Sequence, residues 1–206
     1  MAQITSGVRA ILSHPLVYSS FQALMGARRF RESFVACYVH PTAGMKLLDV
    51  GCGPADILAH LPGVEYWGYD ISEAYIEKAR RTYGARAQFH CQQLREADLA
   101  MLPKFDVVLA IGLLHHLDDP VALEVLRLGH AALRPGGRML TVDPCLDPSQ
   151  NTVSRLLVTH DRGQNVRTLA GYEELTKGIF RERQVTLRHQ AWIPYTHCIM
   201  QCTRSF

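Results

Sequence analysis

The stretch Lys46–Glu73 reads K-L-L-D-V-G-C-G-P-A-D-I-L-A-H-L-P-G-V-E-Y-W-G-Y-D-I-S-E, and the fold turns on it. Leu47, Leu48 and Val50 make the short apolar run of a buried parallel strand. Gly51 and Gly53 then bring the backbone into a tight turn where a side chain would obstruct a ligand. Pro54 suits the first turn of a helix, where its missing N–H costs little. A second strand over Val64–Tyr69 ends in Asp70, and Ser72 can cap the helix that follows. Asp70 lies nineteen residues beyond Gly51. A carboxylate so placed can accept both hydroxyls of an adenosine ribose while the glycine turn lies against the rest of the nucleoside. This order of strand, glycine turn, helix, strand and acid predicts a nucleoside-cofactor site.

The turn narrows the cofactor. A dinucleotide fingerprint wants a third glycine where Asp56 stands, and Asp56 would set a negative charge near a pyrophosphate. Asp49 adds a second carboxylate, a pair that suits a ligand carrying an ammonium and a sulfonium. The run L-D-V-G-C-G-P at 48–54 closely resembles the first motif of the class I S-adenosylmethionine-dependent methyltransferases. That family usually has Gly at position 55; Ala55 is small, so little effect on binding is expected. The turn R-P-G-G at 134–137, ahead of a strand, is a second shared feature. The resemblance covers residues 45 to 143 and, loosely, the final hairpin. It implies a small-molecule methyltransferase that takes S-adenosyl-L-methionine and releases S-adenosyl-L-homocysteine. The implied fold is α/β: a Rossmann-like three-layer sandwich whose mostly parallel sheet is closed by a C-terminal antiparallel hairpin, with N-terminal helices. The family's acid after the third strand, which bonds the adenine amino group, is replaced here by Gln92 and Gln93. A glutamine oxygen can accept the same bond without charge. The cofactor contacts so implied are Asp49, Gly51, Gly53, Asp70, Ile71, Gln92, Gln93 and Ile111.

The 206 residues suit one domain able to bury an ordinary core. A net charge of +3 leaves no nucleic-acid footprint. No signal peptide or membrane span is expected, and six cysteines without a C-x-x-C pair suit the cytoplasm. Cys198 and Cys202 would sit about 13 Å apart along a strand, too far to share a metal, so no metal site is expected.

Apolar spacing predicts helix over 15–39, divided near Gly26, as an N-terminal cap spanning 1–44. A cofactor-binding core fills 45–143. Within it a helix follows over Glu73–Tyr83, with Glu77 facing Arg81, then strands over Arg86–Cys91 and Phe105–Ile111. Asp118, Asp119 and Pro120 open a helix that runs to Leu133, and Arg138–Val142 is the next strand. Residues 144–167 form a polar insert, with room for one short helix, read as a lid. A helix over Thr168–Phe180 and strands over Gln184–His189 and Tyr195–Cys202 complete the chain. Strands alternating with helices imply a parallel sheet covered on both faces, with ligands at the carboxyl ends of its strands.

Methyl transfer is an in-line displacement driven largely by alignment in a dry site. It needs a general base only when the acceptor must lose a proton. His115 and His116, at the end of the fourth strand, are the candidate catalytic residues, with shaping of the cofactor pocket as the alternative for each. Tyr18, Gln22 and Arg31 in the cap, His160, Arg162 and Arg167 in the insert, and Tyr195 and His197 on the hairpin are candidate acceptor contacts. A nicotinamide-dependent oxidoreductase and a non-catalytic cofactor-binding scaffold are the competing readings. The Asn/Asp-Pro-Pro-aromatic motif of amino-directed nucleic-acid methyltransferases is replaced by A-I-G-L at 110–113, which favours a small-molecule acceptor.

Overall fold

The computed structural model describes residues 27–150, 152–159, 163–190 and 195–206. Its sheet runs β3-β2-β1-β4-β5-β8-β7, with β6 beside the end of β5. The strands are β1 (Lys46–Val50), β2 (Glu65–Asp70), β3 (Ala87–Cys91), β4 (Phe105–Ile111), β5 (Leu133–Leu146), β6 (Arg167–Thr168), β7 (Glu182–Gln190) and β8 (Tyr195–Thr203). The first five are parallel, and β8 lies antiparallel between β5 and β7. From β1 the chain moves outward through β2 and β3, then returns to the other side for β4 and β5. That reversal opens a crevice at the carboxyl ends of β1 and β4.

Strand alternation divides the core. Leu47, Leu109 and Leu140 face one layer, while Leu48, Val108 and Met139 face the other. The first layer holds α1 (Ala27–Phe34) and α2 (Glu73–Tyr83), which buries Ile76 and Ala79. Across the sheet, α3 (Asp119–Ala132) buries Leu126 and α5 (Leu169–Thr176) buries Tyr172. Helix α4 (Thr152–Thr159) is the short helix of the insert. The caps follow the sequence. Ser72 accepts from Tyr75 N at 3.4 Å, and Asp118, rather than Asp119, accepts from Val121 N at 3.1 Å. Glu77 and Arg81 pair at 3.5 Å.

Three elements depart from expectation. The helix after Pro54 is only a 3-10 turn, Asp56–His60, because Ala55 is left-handed (φ 56°) and Leu61-Pro62 stops the chain soon after. The R-P-G-G segment does not precede β5 but lies within it, where the register against β4 slips between Phe105 and Val107. After α1 the backbone widens into a π turn over Val35–Val39 and ends at left-handed His40. The expected division at Gly26 lies outside the described residues. Among the described residues no helix is long and apolar enough to cross a membrane.

Candidate functional site

The glycine turn is fixed by the strand beside it. Gly51 N and Cys52 N both donate to Tyr69 O, at 2.8 and 3.0 Å. Gly51 adopts φ +73°, a left-handed backbone that favours glycine, and a Cβ there would press on Leu113 Cδ1 at 2.9 Å. Gly53 N donates to Asp70 Oδ2 at 2.9 Å and Ser72 N to Asp70 Oδ1 at 2.8 Å. Asp70 therefore also ties the turn to β2, a structural task its strand-end position alone does not suggest. A carboxylate offers about four acceptor sites, so two remain for ribose hydroxyls.

Asp49 is buried one residue inside the end of β1 and accepts from Tyr66 Oη at 2.6 Å. Burial pushes its carboxyl up to about 7, opposed by the Tyr66 hydrogen bond and assisted by the charge of Asp70. Such a group has most to gain from a ligand cation. Ile71, 54% exposed, and the exposed Gln92 and Gln93 stand at the ends of β2 and β3, and Ile111 ends β4. The turn, the two carboxylates and an apolar rim fit the nucleoside and cationic amino-acid halves of S-adenosylmethionine.

Beyond β4, Leu114–His116 forms a 3-10 turn. His115 is 4% exposed. Its backbone N and its ring Nδ1 both meet Asp143 Oδ1, at 3.1 and 2.9 Å. Asp143, on β5 one residue past the partner of Ile111, is itself buried, and its other oxygen has no hydrogen-bond partner among the described residues. Burial raises the Asp143 carboxyl, and the His115 hydrogen bonds lower it. With Asp143 ionised its Oδ1 can only accept, so the matching tautomer carries the ring proton on Nδ1 and has Nε2 as its basic nitrogen. The half-buried His116 ring lies 4.0 Å from that of His115, centroid to centroid.

The insert folds onto this pair. Asn165 N donates to His115 O at 3.0 Å, and a Cβ on Gly163 would collide with His115 Cδ2, so glycine lets the chain lie on the imidazole edge. Ser154 Oγ and Thr196 Oγ1, both buried, meet at 3.2 Å and hold α4 to β8.

Arg167, expected to touch the acceptor, instead spends its donors on the scaffold. Nε and Nη2 bind Asp119 Oδ1 at 2.9 and 2.7 Å, Nη1 reaches Leu114 O and Asn165 O, and Nη2 reaches Leu117 O. It clasps the His115 turn between α3 and the insert. Arg31 pairs with Asp56 at 3.1 Å, tying α1 to the segment after the glycine turn. His197 lies under α1, its ring 5.1 Å from Phe30. Tyr195 opens β8 opposite Gln190; its side chain, like Tyr18, Gln22, His160 and Arg162, lies outside the described residues. Tyr66 and Gly163 carry no role in the sequence reading, Asn165 figures there only among the polar groups of the insert that could orient a substrate, and Asp143 only as a strand end. An acid closing the apolar run M-L-T-V-D was a usable signal for Asp143; Tyr66 and Gly163 have none nearby.

Sheet order, glycine turn and the acid ending β2 together define a Rossmann-like nucleoside-binding domain. Residues 48–139 match a family described as "Methyltransferase domain". The chain is 34% identical to the O-methyltransferase resE of Aspergillus sclerotiorum over 149 residues, covering 68% of this chain and 55% of that one. It is 32% identical to the O-methyltransferase cnsE of Penicillium expansum over 179 residues, covering 77% and 62%. The chain thus spans a little over half the length of these two relatives. An O-methyltransferase family protein from Burkholderia thailandensis shares the fold, with a TM-score of 0.71 at 17% identity over 99% of this chain and 64% of that chain. These matches support a class I S-adenosylmethionine-dependent methyltransferase domain. Neither the nicotinamide nor the scaffold reading gains support. The charge of Asp56, first weighed against a pyrophosphate, is offset by Arg31, so the family match and Asp49 now carry that exclusion.

Proposed function

We propose that the protein transfers the methyl group of S-adenosylmethionine to a hydroxyl oxygen of a small organic acceptor, with His115 as general base. The observation that carries the reading is the buried pair of Asp143, on β5, and His115, beyond β4 and two residues past the Leu113 side chain that lies against Gly51. The cofactor supplies a methyl on a positive sulfur, a reactive donor with a neutral leaving group. Asp70 and the glycine turn hold the nucleoside, and Asp49 balances cationic charge. Asp143 keeps the His115 proton on Nδ1 and aims Nε2 at the acceptor hydroxyl, whose oxygen becomes nucleophilic as its proton moves to nitrogen. Asp143 then faces an imidazolium and stabilises it, the more so because the pair is dry. Oxygen is favoured over carbon or sulfur because a hydroxyl needs this base and because the relatives described above are named O-methyltransferases. Residues 144–167 serve as the cover that excludes water, since Gly163 and Asn165 lie directly on His115. Arg167 positions the His115 turn. All six cysteines are unpaired thiols, which supports a reducing, cytoplasmic setting.

Methyl transfer to a panel of phenols and alcohols, followed by mass spectrometry, tests the reading. His115→Gln should lower kcat by about 10²–10⁴-fold while S-adenosylhomocysteine affinity stays within a few-fold. A variant that keeps wild-type kcat at neutral pH would remove His115 from the chemistry.

A further inference from the structure

The corner of the cofactor site at the ends of β2 and β3 contains a side chain to which neither the family motif nor the geometry above gives a task. Asp98 belongs to a 3-10 turn, Glu96–Ala100, that follows β3. Its Oδ2 accepts from Arg95 N at 2.8 Å, and its own N–H donates to Arg95 O at 3.0 Å, so the carboxylate is pinned. The remaining oxygen, Oδ1, accepts from Gln92 Nε2 at 3.0 Å. Gln92 directly follows Cys91, which ends β3 opposite Asp70 at the end of β2, so this bond places Asp98 beside the strand ends where Asp70 lies. Gln93, next to Gln92, makes no hydrogen bond among the described residues and has no such constraint.

We propose that Asp98 is a positioning residue that sets the purine preference of the cofactor site by holding the Gln92 amide in one orientation. The proposal rests on reading Gln92 as the contact for the adenine amino group. A carboxylate only accepts hydrogen bonds, so the amide must turn its NH₂ toward Asp98. The reverse orientation would set Gln92 Oε1 against Asp98 Oδ1, oxygen against oxygen. Gln92 Oε1 is thereby left as an acceptor for the base. Adenine offers an exocyclic amino donor at that edge, whereas hypoxanthine offers a carbonyl acceptor. The neutral glutamine thus regains, through a carboxylate a few residues along the chain, the acceptor-only character of the acid that the family resemblance implies after the third strand.

Asp98→Asn isolates the effect. The amide oxygen of that variant can still accept from Arg95 N, which preserves the turn. Its NH₂ then faces Gln92 and would donate to Oε1, releasing the glutamine amide to point its own NH₂ at the base. Calorimetry with S-adenosylhomocysteine and S-inosylhomocysteine gives the ratio of the two dissociation constants for wild type, Asp98→Asn, Gln92→Ala and the double variant. Each ratio is taken on one protein preparation, so a lower folded fraction cancels. The wild type should favour the adenosyl ligand. Asp98→Asn should cut that preference about tenfold or more, the scale of one exchanged hydrogen bond. Gln92→Ala should also cut it, and in the Gln92→Ala background Asp98→Asn should add nothing. A ratio untouched by Asp98→Asn but lowered by Gln92→Ala would overturn the positioning role alone. A ratio untouched by Gln92→Ala would overturn the reading of Gln92, and the proposal with it.

Discussion

Replacing Asp49 by asparagine should stabilise the cofactor-free protein and weaken cofactor binding, both in a pH-dependent way. The folded carboxyl titrates at about 7 against 3.8 for the exposed group. It is fully buried and faces the Tyr66 hydroxyl, the Asp70 carboxylate and the Cys52 thiol, which is itself pushed up by burial and by both carboxylates. The folded state therefore holds a proton that the unfolded chain has released. Stability falls as pH rises from about 4 to about 7, and the loss is complete above that. At about 1.4 kcal/mol per pH unit, the gap makes roughly 4 kcal/mol. An asparagine side chain resembles the protonated acid and can still accept from Tyr66, so the variant escapes this loss. Urea unfolding should find Asp49→Asn more stable by a few kcal/mol at pH 8 and nearly equal to wild type at pH 4. Binding follows the same proton. A ligand ammonium or sulfonium selects the ionised carboxylate, so S-adenosylhomocysteine affinity should drop by roughly fifty- to a hundredfold between pH 8 and pH 5. Calorimetry at pH 6 in two buffers of different ionisation enthalpy should register proton release on binding. In Asp49→Asn both the pH dependence and the proton release should vanish. An equal stability difference at pH 4 and pH 8, or a wild-type affinity flat across this range, would refute the reasoning.

Ala55→Gly should raise stability by about 1 kcal/mol in the same urea assay, because a left-handed alanine costs about 1–2 kcal/mol and the greater freedom of unfolded glycine offsets part of the gain; a loss of stability would mean that the turn carries no strain. Gly163→Ala forces a Cβ onto His115 and should lift the insert, so amide exchange at Asn165 should accelerate and kcat should fall more than S-adenosylhomocysteine affinity. Exchange at Asn165 that is already fast in the wild type, and indifferent to cofactor and acceptor together, would end the cover reading.

The parallel core, the glycine turn with its distal acid, the capped starts of α2 and α3 and the closing hairpin were all legible in the chain before it folded. Each of these is written in a few adjacent residues: L-D-V-G-C-G-P needs its glycines for its own backbone, and Ser72 and Asp118 bond amides three residues on. The same locality placed Asp49, Asp70 and His115 near one crevice, because parallel strands end together. What each charged side chain does there depends on residues far along the chain. Arg167 looked available for an anionic acceptor, yet Asp119, Leu114 and Leu117, about fifty positions away, take its donors. Arg31 likewise meets Asp56, and His115 meets Asp143 rather than solvent. At position 55 the sequence suggested a question of size, whereas the fold made it one of backbone, since φ there is positive. A side chain's local setting fixes which conformations it can adopt. Only packing sets which partner lies within hydrogen-bond reach and how far burial raises the free energy of its charge.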